Sequence, residues 1–310
     1  TRVRSSAASD VYKRQIFDII TTIQNNGINM QDLISIIIPS FNHEKFITST
    51  INSIINQTFR NLELIIIDDN STDNTRSAVL SLENECRKRF ANFKFIKKEQ
   101  NKGINNSLNT GIDLANGEFV YIIASDDIAK PEAIETFYSF IKDKADYALI
   151  TGDGELIDEN NNRIFWDHEF NPHKKYDPVV AKYKTTAQRM EKSARINFLS
   201  EQYGDYKTLL WSNYVTNGYL LRKSALLEAG KYREDVLEDW YMNLQLAKKY
   251  KFKFIDKVLF SYRWHSSNAI RTEASQKKYL STLLLEKDYC LKHNLKEEWE
   301  KAFEKYKRLV

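Results

Sequence analysis

The sequence predicts an α/β fold with a doubly wound, mostly parallel central sheet, followed by C-terminal helices. Between residues 33 and 151, short apolar runs rich in β-branched residues alternate with segments of helical periodicity. Clusters of polar residues follow directly after several of these runs. Two charged segments of helical pattern, 272–291 and 296–309, come last. Strands that alternate with helices indicate βαβ units with helices on both faces of one sheet.

Each element of the first half has its own signal. The strands are continuous apolar runs, except for Phe93–Lys97, which alternates, and the helices have apolar residues at helical spacing or start at capping residues. The predicted strands are Leu33–Ile38, Leu62–Ile67, Phe93–Lys97, Phe119–Ala124 and Tyr147–Thr151. The predicted helices are Glu44–Asn56, Ser71–Phe90, a segment from Ile104 to Ala115, and Glu132–Lys142.

The second half, from residue 152, has a less regular pattern. Residues 152–185 are polar and aromatic, with several turn signals. The elements expected beyond them are a helix over Thr186–Tyr203, strands over Tyr214–Leu221, Phe252–Ile255 and Val258–Trp264, and helices over Lys223–Ala229 and Leu237–Tyr250.

Composition limits the class of protein. The 310 residues are 42% hydrophobic, which is enough for a sizeable core. The 46 basic and 42 acidic residues give a net charge of +4, unlike a nucleic-acid-binding protein but compatible with weak attraction to an anionic membrane. The sequence has no apolar run of about 18 residues, the length of a membrane-spanning helix. Its two cysteines are widely spaced. We therefore expect a cytoplasmic protein. Residues 1–30 are interpreted as a disordered or non-native leader.

Three polar clusters follow predicted strands: Pro39–Asn42, Asp68–Asn70 and Ser125–Asp127. Open α/β sheets bind ligands beyond the carboxyl ends of their strands. Adjacent carboxylates such as Asp126 and Asp127 repel each other, and a divalent cation bound to a diphosphate relieves that repulsion. Each cluster taken alone also fits an ordinary turn or a helix cap.

Two later clusters carry candidate functional groups. Glu238 and Asp239 lie near the start of a predicted helix, where the helix dipole favours carboxylates without any function, although Asp239 could also act as a general base. Trp240 and the aromatic residues before it either stack on sugar rings or belong to the core. His265 ends the run Tyr262–His265 and is either structural or a ligand.

Together these clusters resemble family 2 inverting glycosyltransferases, which have the A-type fold of nucleotide-diphospho-sugar transferases. The resemblance covers residues 33–268 and rests on four stretches in order: ISIIIPSFNHEKFITSTINSIINQTFRNLELIIIDDNSTDNT, NKGINNSLNTGIDLANGEFVYIIASDD, GYLLRKSALLEAGKYREDVLEDWYMNLQLAKKY and YRWHSSN. It implies a donor half over 33–151, an acceptor half over 152–268, and a helical extension over 269–310.

The resemblance also implies roles for individual residues. Asp127 matches the closer ligand of Mn²⁺ or Mg²⁺, His265 matches a later residue near the metal, and Asp239 matches the catalytic base. Glu238 and Trp240 fall on the acceptor side. The donor-binding set is Pro39, Phe41, Asn42, Glu44, Asp68 (at the base), Asn101, Gly103, Asn109 and Asp126 (near the ribose).

The reaction implied is a single inverting displacement. A nucleotide sugar, with UDP favoured, donates to a hydroxyl of a glycan or a lipid-linked acceptor in bacterial surface polysaccharide, capsule or lipo-oligosaccharide synthesis. Such an acceptor would bring the chain to the inner face of the membrane transiently. The C-terminal segment 272–310 is expected to pack on the catalytic domain, with a lipid surface as the alternative.

The sequence departs from the family pattern at Ala124, where many relatives carry Asp, and over residues 152–213, which match poorly. These departures leave open a catalytically silent nucleotide-sugar-binding protein. A sugar nucleotidyltransferase is disfavoured, because Pro39–Glu44 contains neither Gly nor Arg for a phosphate loop.

Overall fold

The computed structural model describes residues 33–169, 171–266, 268 and 273–308. The leader predicted over residues 1–30 lies outside them. In the first half, four parallel strands form the sheet: β1 (Ile34–Ser40), β2 (Leu62–Asp68), β3 (Asn92–Lys97) and β4 (Phe119–Ile122). The helices between and after them are α1 (Ile47–Ile55), α2 (Thr75–Leu80), α3 (Glu83–Arg89), α4 (Ile104–Leu114) and α5 (Ala133–Ile141).

Both faces of this sheet are covered, as the continuous apolar runs predict. Along β1, Ile34, Ile36 and Ile38 belong to one buried cluster, whereas Ile37 belongs to the other. Successive side chains of a strand point to opposite faces, so a strand buried on both sides has no polar face. The predicted doubly wound α/β class is confirmed.

The remaining strands extend the sheet past β4. They are β5 (Ile128–Ala129), β6 (Tyr147–Ile157), β7 (Arg163–Trp166), β8 (Pro172–His173), β9 (Tyr219–Arg222) and β10 (Lys251–Arg263). The order is β3-β2-β1-β4-β9-β6-β10-β5, with β7 beside β6 and β8 beside β7. Strand β9 runs antiparallel between β4 and β6, while β6 and β10 are parallel. The sheet is therefore parallel in its first half and mixed beyond β4.

Short β5 pairs antiparallel with β10 through Phe260↔Ala129 and Ser261↔Ile128. This pairing has a consequence for the polar cluster at Asp126 and Asp127, which lies in the turn between β4 and β5. The turn is held against the end of β10, more than a hundred residues further along the chain.

Several predicted boundaries are wrong. The helix expected over Ser71–Phe90 is divided into α2 and α3, and near the break the Ser81 hydroxyl donates a hydrogen bond to the Ala78 carbonyl oxygen. Side-chain bonds of this kind compete with helical hydrogen bonding. The two late strands are one bulged strand, β10. The helix expected from Thr186 stops at Ala194, because Arg195 takes a left-handed conformation with φ of 60°.

The helices of the second half are α6 (Thr186–Ala194), α7 (Tyr206–Trp211), α8 (Lys223–Glu228), α9 (Glu238–Ala247), α10 (Glu273–Lys292) and α11 (Lys296–Lys307). The last two pack on α9, since Tyr279 and Tyr306 stack on each other at 4.8 Å and both contact Trp240. The Trp299 indole N–H donates to the Leu283 carbonyl oxygen at 2.6 Å. None of the helices in the described ranges has the length and apolarity needed to cross a membrane.

Candidate active site

A cavity of about 340 Å³ opens beyond the carboxyl ends of β1 and β4. Five of the predicted donor-binding residues line it: Pro39, Phe41, Asn101, Gly103 and Asp126. The other lining residues are Ser40, His43, Asp69, Ile104, Ser107, Ala124 and Ser125. We call this space the first cavity. Its volume lies at the lower end of the ~300–1,000 Å³ typical of small-molecule sites.

Asp69, rather than the predicted Asp68, lines this cavity. The carboxylate of Asp69 accepts hydrogen bonds from the Lys98 ammonium group at 3.0 Å and from the Gly103 backbone N–H at 2.7 Å. Asp68 is fully buried, and its carboxylate accepts a bond from the Ser71 backbone N–H at 3.1 Å. Both aspartates follow the same apolar run, so sequence reasoning alone had no signal to tell them apart.

The other three predicted donor residues hold the loops in place. The side-chain amide oxygen of Asn42 accepts a hydrogen bond from the backbone N–H of Thr72 at 2.9 Å. The carboxylate of Glu44 accepts one from the backbone N–H of Asn74 at 2.8 Å. Asn109 exchanges two hydrogen bonds with the backbone of Tyr232, at 2.8 and 2.9 Å. Their side chains therefore tie together the loops that surround the first cavity.

The most compact polar cluster is formed by His43, Asp126 and His265. The His265 Nε2 lies 2.9 Å from an Asp126 carboxylate oxygen, and the His43 Nε2 lies 3.9 Å from the same oxygen. The other ring nitrogen of His43 contacts the Ser125 hydroxyl at 2.7 Å, which fixes the orientation of the ring. The predicted residues Asp126 and His265 are thus brought together, whereas His43 was missed by sequence reasoning.

These residues fit a divalent cation. Their ligand atoms lie within 4.8 Å of one another. Two imidazoles with one carboxylate suit a transition metal such as Mn²⁺ better than Mg²⁺, which prefers oxygen ligands. Burial lowers the pKa of His43, against the opposing effect of Asp126, and the neutral imidazole is the ligating form.

Asp127 is buried one residue further along and has a different environment. Its carboxylate accepts the backbone N–H of Arg263 at 2.9 Å and contacts the Asn217 amide nitrogen at 3.4 Å. Burial, and then the charge of Asp126, raise its pKa well above the ordinary range. The adjacent carboxylates therefore repel each other in this site, as the sequence predicts.

Arg263 fixes the turn that carries both carboxylates. Its side chain is fully buried and donates to the carbonyl oxygens of Asp126 at 2.6 Å and Asp158 at 3.0 Å, and to the Ser49 hydroxyl at 3.2 Å. Its guanidinium lies 5.0 Å from the centre of the Phe46 ring. A buried guanidinium requires such partners, because its charge is otherwise costly.

A second cavity of about 320 Å³ contains the predicted base, Asp239. Three lining residues, Trp166, Tyr262 and Trp264, form an aromatic wall of this cavity, with ring centres 5.4 to 6.4 Å apart. The remaining lining residues are Thr186, Met190, Asn213, Val215, Thr216, Asn217, Phe260 and Tyr279. Asn217 links the second cavity to the turn that carries Asp126 and Asp127. It lines that cavity, and its amide nitrogen contacts the Asp127 carboxylate.

The carboxylate of Asp239 is held by two donors. The Asn213 amide nitrogen lies 3.2 Å from both of its oxygens, and the Trp240 backbone N–H donates at 2.7 Å. Burial raises the pKa of Asp239. Burial and the neighbouring Asp239 also raise the pKa of Glu238 to about 7. A carboxylate with a raised pKa is a stronger general base.

The stacking role considered for Trp240 does not fit the structure. Its side chain is fully buried, and the indole N–H donates to the Leu209 carbonyl oxygen at 2.7 Å. The ring contacts Tyr279 and Tyr306 of the C-terminal helices, so Trp240 belongs to the core. The aromatic residues of the second cavity come instead from β7, β10 and α10.

The fold is that of the A-type nucleotide-sugar glycosyltransferases. Residues 35–204 match the model of the family "Glycosyl transferase family 2". The chain belongs to that family, and the predicted family is confirmed.

Individual proteins agree with this assignment. The chain is 28% identical over 255 residues to glycosyltransferase GlyG of Streptococcus pneumoniae serotype 4, covering 79% of this chain and 75% of GlyG. It is 31% identical over 202 residues to the GalNAc(5)-diNAcBac-PP-undecaprenol beta-1,3-glucosyltransferase of Campylobacter jejuni, covering 62% of each chain. The S. aureus TarS 1–349 structure in complex with UDP-GlcNAc has a TM-score of 0.62 at 18% identity, covering 88% of this chain and 71% of the TarS 1–349 chain.

Proposed function

We propose that this enzyme is an inverting, metal-assisted transferase that moves a sugar from a UDP-sugar to an acceptor hydroxyl in bacterial surface polysaccharide, capsule or lipo-oligosaccharide synthesis. The observation that carries the proposal is the junction at Asn217. This residue lines the cavity of the candidate base Asp239 and also contacts Asp127 of the candidate metal turn. A displacement needs the base and the leaving group on opposite sides of one reacting carbon, as two adjoining cavities allow.

The first cavity would bind the donor. Pro39, Phe41, Asn101 and Gly103 would surround the nucleoside, and Asp69 would hold the Gly103 loop. Asp126, His43 and His265 would hold Mn²⁺ or Mg²⁺, and the imidazole nitrogens favour Mn²⁺. A bound divalent cation neutralises charge on the departing diphosphate.

The sequence predicts Asp127 as the closer metal ligand. The cluster of Asp126 with His43 and His265 supports Asp126 as the alternative ligand. The two assignments differ in a measurable way. Asp126→Asn and Asp127→Asn can be compared by the electron paramagnetic resonance of added Mn²⁺. The variant that loses more Mn²⁺ affinity identifies the closer ligand.

In the second cavity, Asp239 would accept the proton of the attacking hydroxyl. The acceptor oxygen forms a bond to the anomeric carbon while the bond from that carbon to the diphosphate breaks. The Asn213 amide and the Trp240 N–H keep the carboxylate oriented during this step. Glu238 would stay protonated for part of the time near pH 7, which limits its repulsion of Asp239.

The acceptor would be a glycan or a lipid-linked saccharide. The name of the Campylobacter jejuni relative specifies an undecaprenol-linked acceptor, which supports this class. We assign the donor half to 33–151, the acceptor half to 152–268 and the extension to 269–310, with the reaction at the cytoplasmic face of the membrane.

The test is the metal-dependent release of nucleotide from UDP-, GDP- and dTDP-sugars. We expect one donor to be bound and slowly hydrolysed with Mn²⁺. Asp239→Asn should bind that donor but transfer about 10²- to 10⁴-fold more slowly, which is the usual contribution of a general base. Asp235→Asn is the matched control, because this exposed aspartate lies nearby and pairs only with Arg233 among its described contacts.

Each failure has its own meaning. If no nucleotide sugar binds in the presence of metal, the donor site is wrongly assigned. If a donor binds but neither water nor any acceptor in a glycan panel receives the sugar, the chain is a catalytically silent binding protein.

A further inference from the structure

The segment between β8 and α6 presents an unusual surface, which we call the basic loop and define as residues 174–184. Its sequence is KKYDPVVAKYK. Four of its residues are exposed lysines: Lys174, Lys175, Lys182 and Lys184. The loop also exposes large apolar side chains, since Val179 is 81% exposed and Val180 is 51% exposed. The two adjacent valines form a small apolar surface that a partner can cover.

A tight turn fixes the direction of the two valines. One carboxylate oxygen of Asp177 accepts the backbone N–H groups of Val179 at 2.8 Å and Val180 at 3.0 Å. The Asp177 N–H donates to the Ala181 carbonyl oxygen at 3.3 Å, and Ala181 is buried. The turn is therefore anchored at its base, with both valines at its outer end.

The charge around the valines is positive. Four lysines and the single acid Asp177 give the basic loop a net charge of +3. The acidic group is already engaged by the two N–H donors of the turn. Lys184 lies 4.3 Å from the centre of the Tyr176 ring, so this end of the loop combines a cation with a 42% exposed aromatic residue.

The base of the loop lies next to residues that line the second cavity. Tyr183 pairs with Trp166 in an antiparallel bridge, with N–H···O distances of 3.2 and 3.4 Å. Trp166 and Thr186, on either side of the loop in the chain, both line that cavity. A surface bound to the loop would thus lie next to the place where we put the acceptor.

We propose that the basic loop is the surface by which this chain contacts an anionic lipid bilayer. Lysines attract anionic headgroups, while small apolar side chains and a tyrosine enter the interfacial layer. The charge complementarity selects a bilayer over an uncharged surface. The link to a lipid-linked acceptor rests on the proposed function, whereas the contact with lipid does not. The C-terminal helices, considered earlier for this role, contact Trp240 of α9 through Tyr279 and Tyr306.

The test measures binding of the full chain to vesicles by flotation. The vesicles contain either phosphatidylcholine alone or a mixture of phosphatidylcholine with 30% phosphatidylglycerol, about a third of the lipid being anionic. We expect binding to the anionic vesicles only, weakened by salt. One lysine near an anionic surface contributes about a fivefold change in partitioning, so Lys174→Gln with Lys175→Gln should weaken binding roughly 25-fold. Val179→Ser with Val180→Ser should weaken it as well.

Two matched controls remove the same charge and the same kind of apolar side chain elsewhere. Lys88→Gln with Lys97→Gln changes two exposed lysines near strand β3, at the opposite edge of the sheet. Leu227→Ser removes a leucine that is 46% exposed on α8. Both controls should bind anionic vesicles like the unaltered chain.

The proposal is overturned if the chain does not bind anionic vesicles or if the controls lose as much binding as the loop variants. It is also overturned if sedimentation shows a dimer that Val179→Ser with Val180→Ser dissociates, because a second copy would then cover the valines. Donor hydrolysis without vesicles is measured in parallel. If the unaltered chain shows neither donor hydrolysis nor transfer to the glycan panel, the proposed function is refuted and the lipid result stands by itself.

Discussion

Replacing Arg263 with lysine should loosen the turn of Asp126 and Asp127 while it preserves the positive charge. The arginine side chain is fully buried and makes three hydrogen bonds, to Asp126, Asp158 and Ser49. A lysine ammonium group is a compact charge without the planar fork of a guanidinium, and we assume that it replaces one of these three hydrogen bonds. Two lost bonds from a charged donor, at ~1.5 kcal/mol each, lower the free energy of unfolding by about 3 kcal/mol.

Urea denaturation followed by tryptophan fluorescence measures this loss. A second readout is the affinity for Mn²⁺, because Arg263 positions the turn that carries the candidate ligand Asp126 without being a ligand itself. Outer residues of this kind typically change metal affinity 10- to 100-fold. We expect Arg263→Lys to lie in that range, and nucleotide release to require correspondingly more Mn²⁺.

Arg163→Lys is the matched control. The Arg163 side chain is about half exposed, and its Nε lies 3.6 Å from a Glu155 carboxylate oxygen. Because exposed ion pairs contribute little, its replacement should change the free energy of unfolding by no more than about 0.5 kcal/mol. If Arg263→Lys unfolds with the same midpoint as the unaltered chain and binds Mn²⁺ equally well, the turn does not depend on the guanidinium and this reasoning is wrong.

Three further predictions concern the second cavity and its surroundings. Trp240→Ala should lower the free energy of unfolding by about 3–5 kcal/mol, as measured by urea denaturation, because a fully buried indole is removed. Protonation of the base abolishes transfer as pH falls through the raised pKa of Asp239; Asn213→Leu removes a hydrogen-bond donor that stabilises the ionised carboxylate, so the acid limb of the pH–rate profile should move to higher pH. Trp264→Leu should raise the acceptor KM several-fold in a transfer assay, because one ring of the aromatic wall is lost. Phe165→Leu, on β7 beside that wall, should leave this KM unchanged.

The fold of the first half could be predicted because its signals are local. Continuous apolar runs mark strands that are buried on both faces, and apolar residues at helical spacing mark the helices between them. The insertion of β9 between β4 and β6 has no such signal. The register that pairs Tyr219 with Ile122 depends on contacts between residues almost a hundred positions apart. Periodicity in one strand does not identify its neighbours in a sheet.

Within the candidate site, the sequence identifies the segments better than the side chains. Asp68 and Asp69 are equivalent in a motif, yet only one of them lies at the cavity, because adjacent side chains at a strand end point in opposite directions. His43 has no distinctive spacing from Asp126 or His265. The three meet only because β1, the β4–β5 turn and the end of β10 converge.

The two cavities are lined by different halves of the chain, although the cluster beside the first cavity also takes His265 from the second half. The parallel strands of the first half end together beside the first cavity. Antiparallel β9 brings the preceding segment, with Asn213 and Asn217, back to the same edge of the sheet. In this segment Asn213 contacts the carboxylate of the candidate base Asp239, and Asn217 contacts Asp127 of the candidate metal turn. A substitution that displaces this short segment should impair transfer more than donor binding, because the donor cavity keeps its own loops.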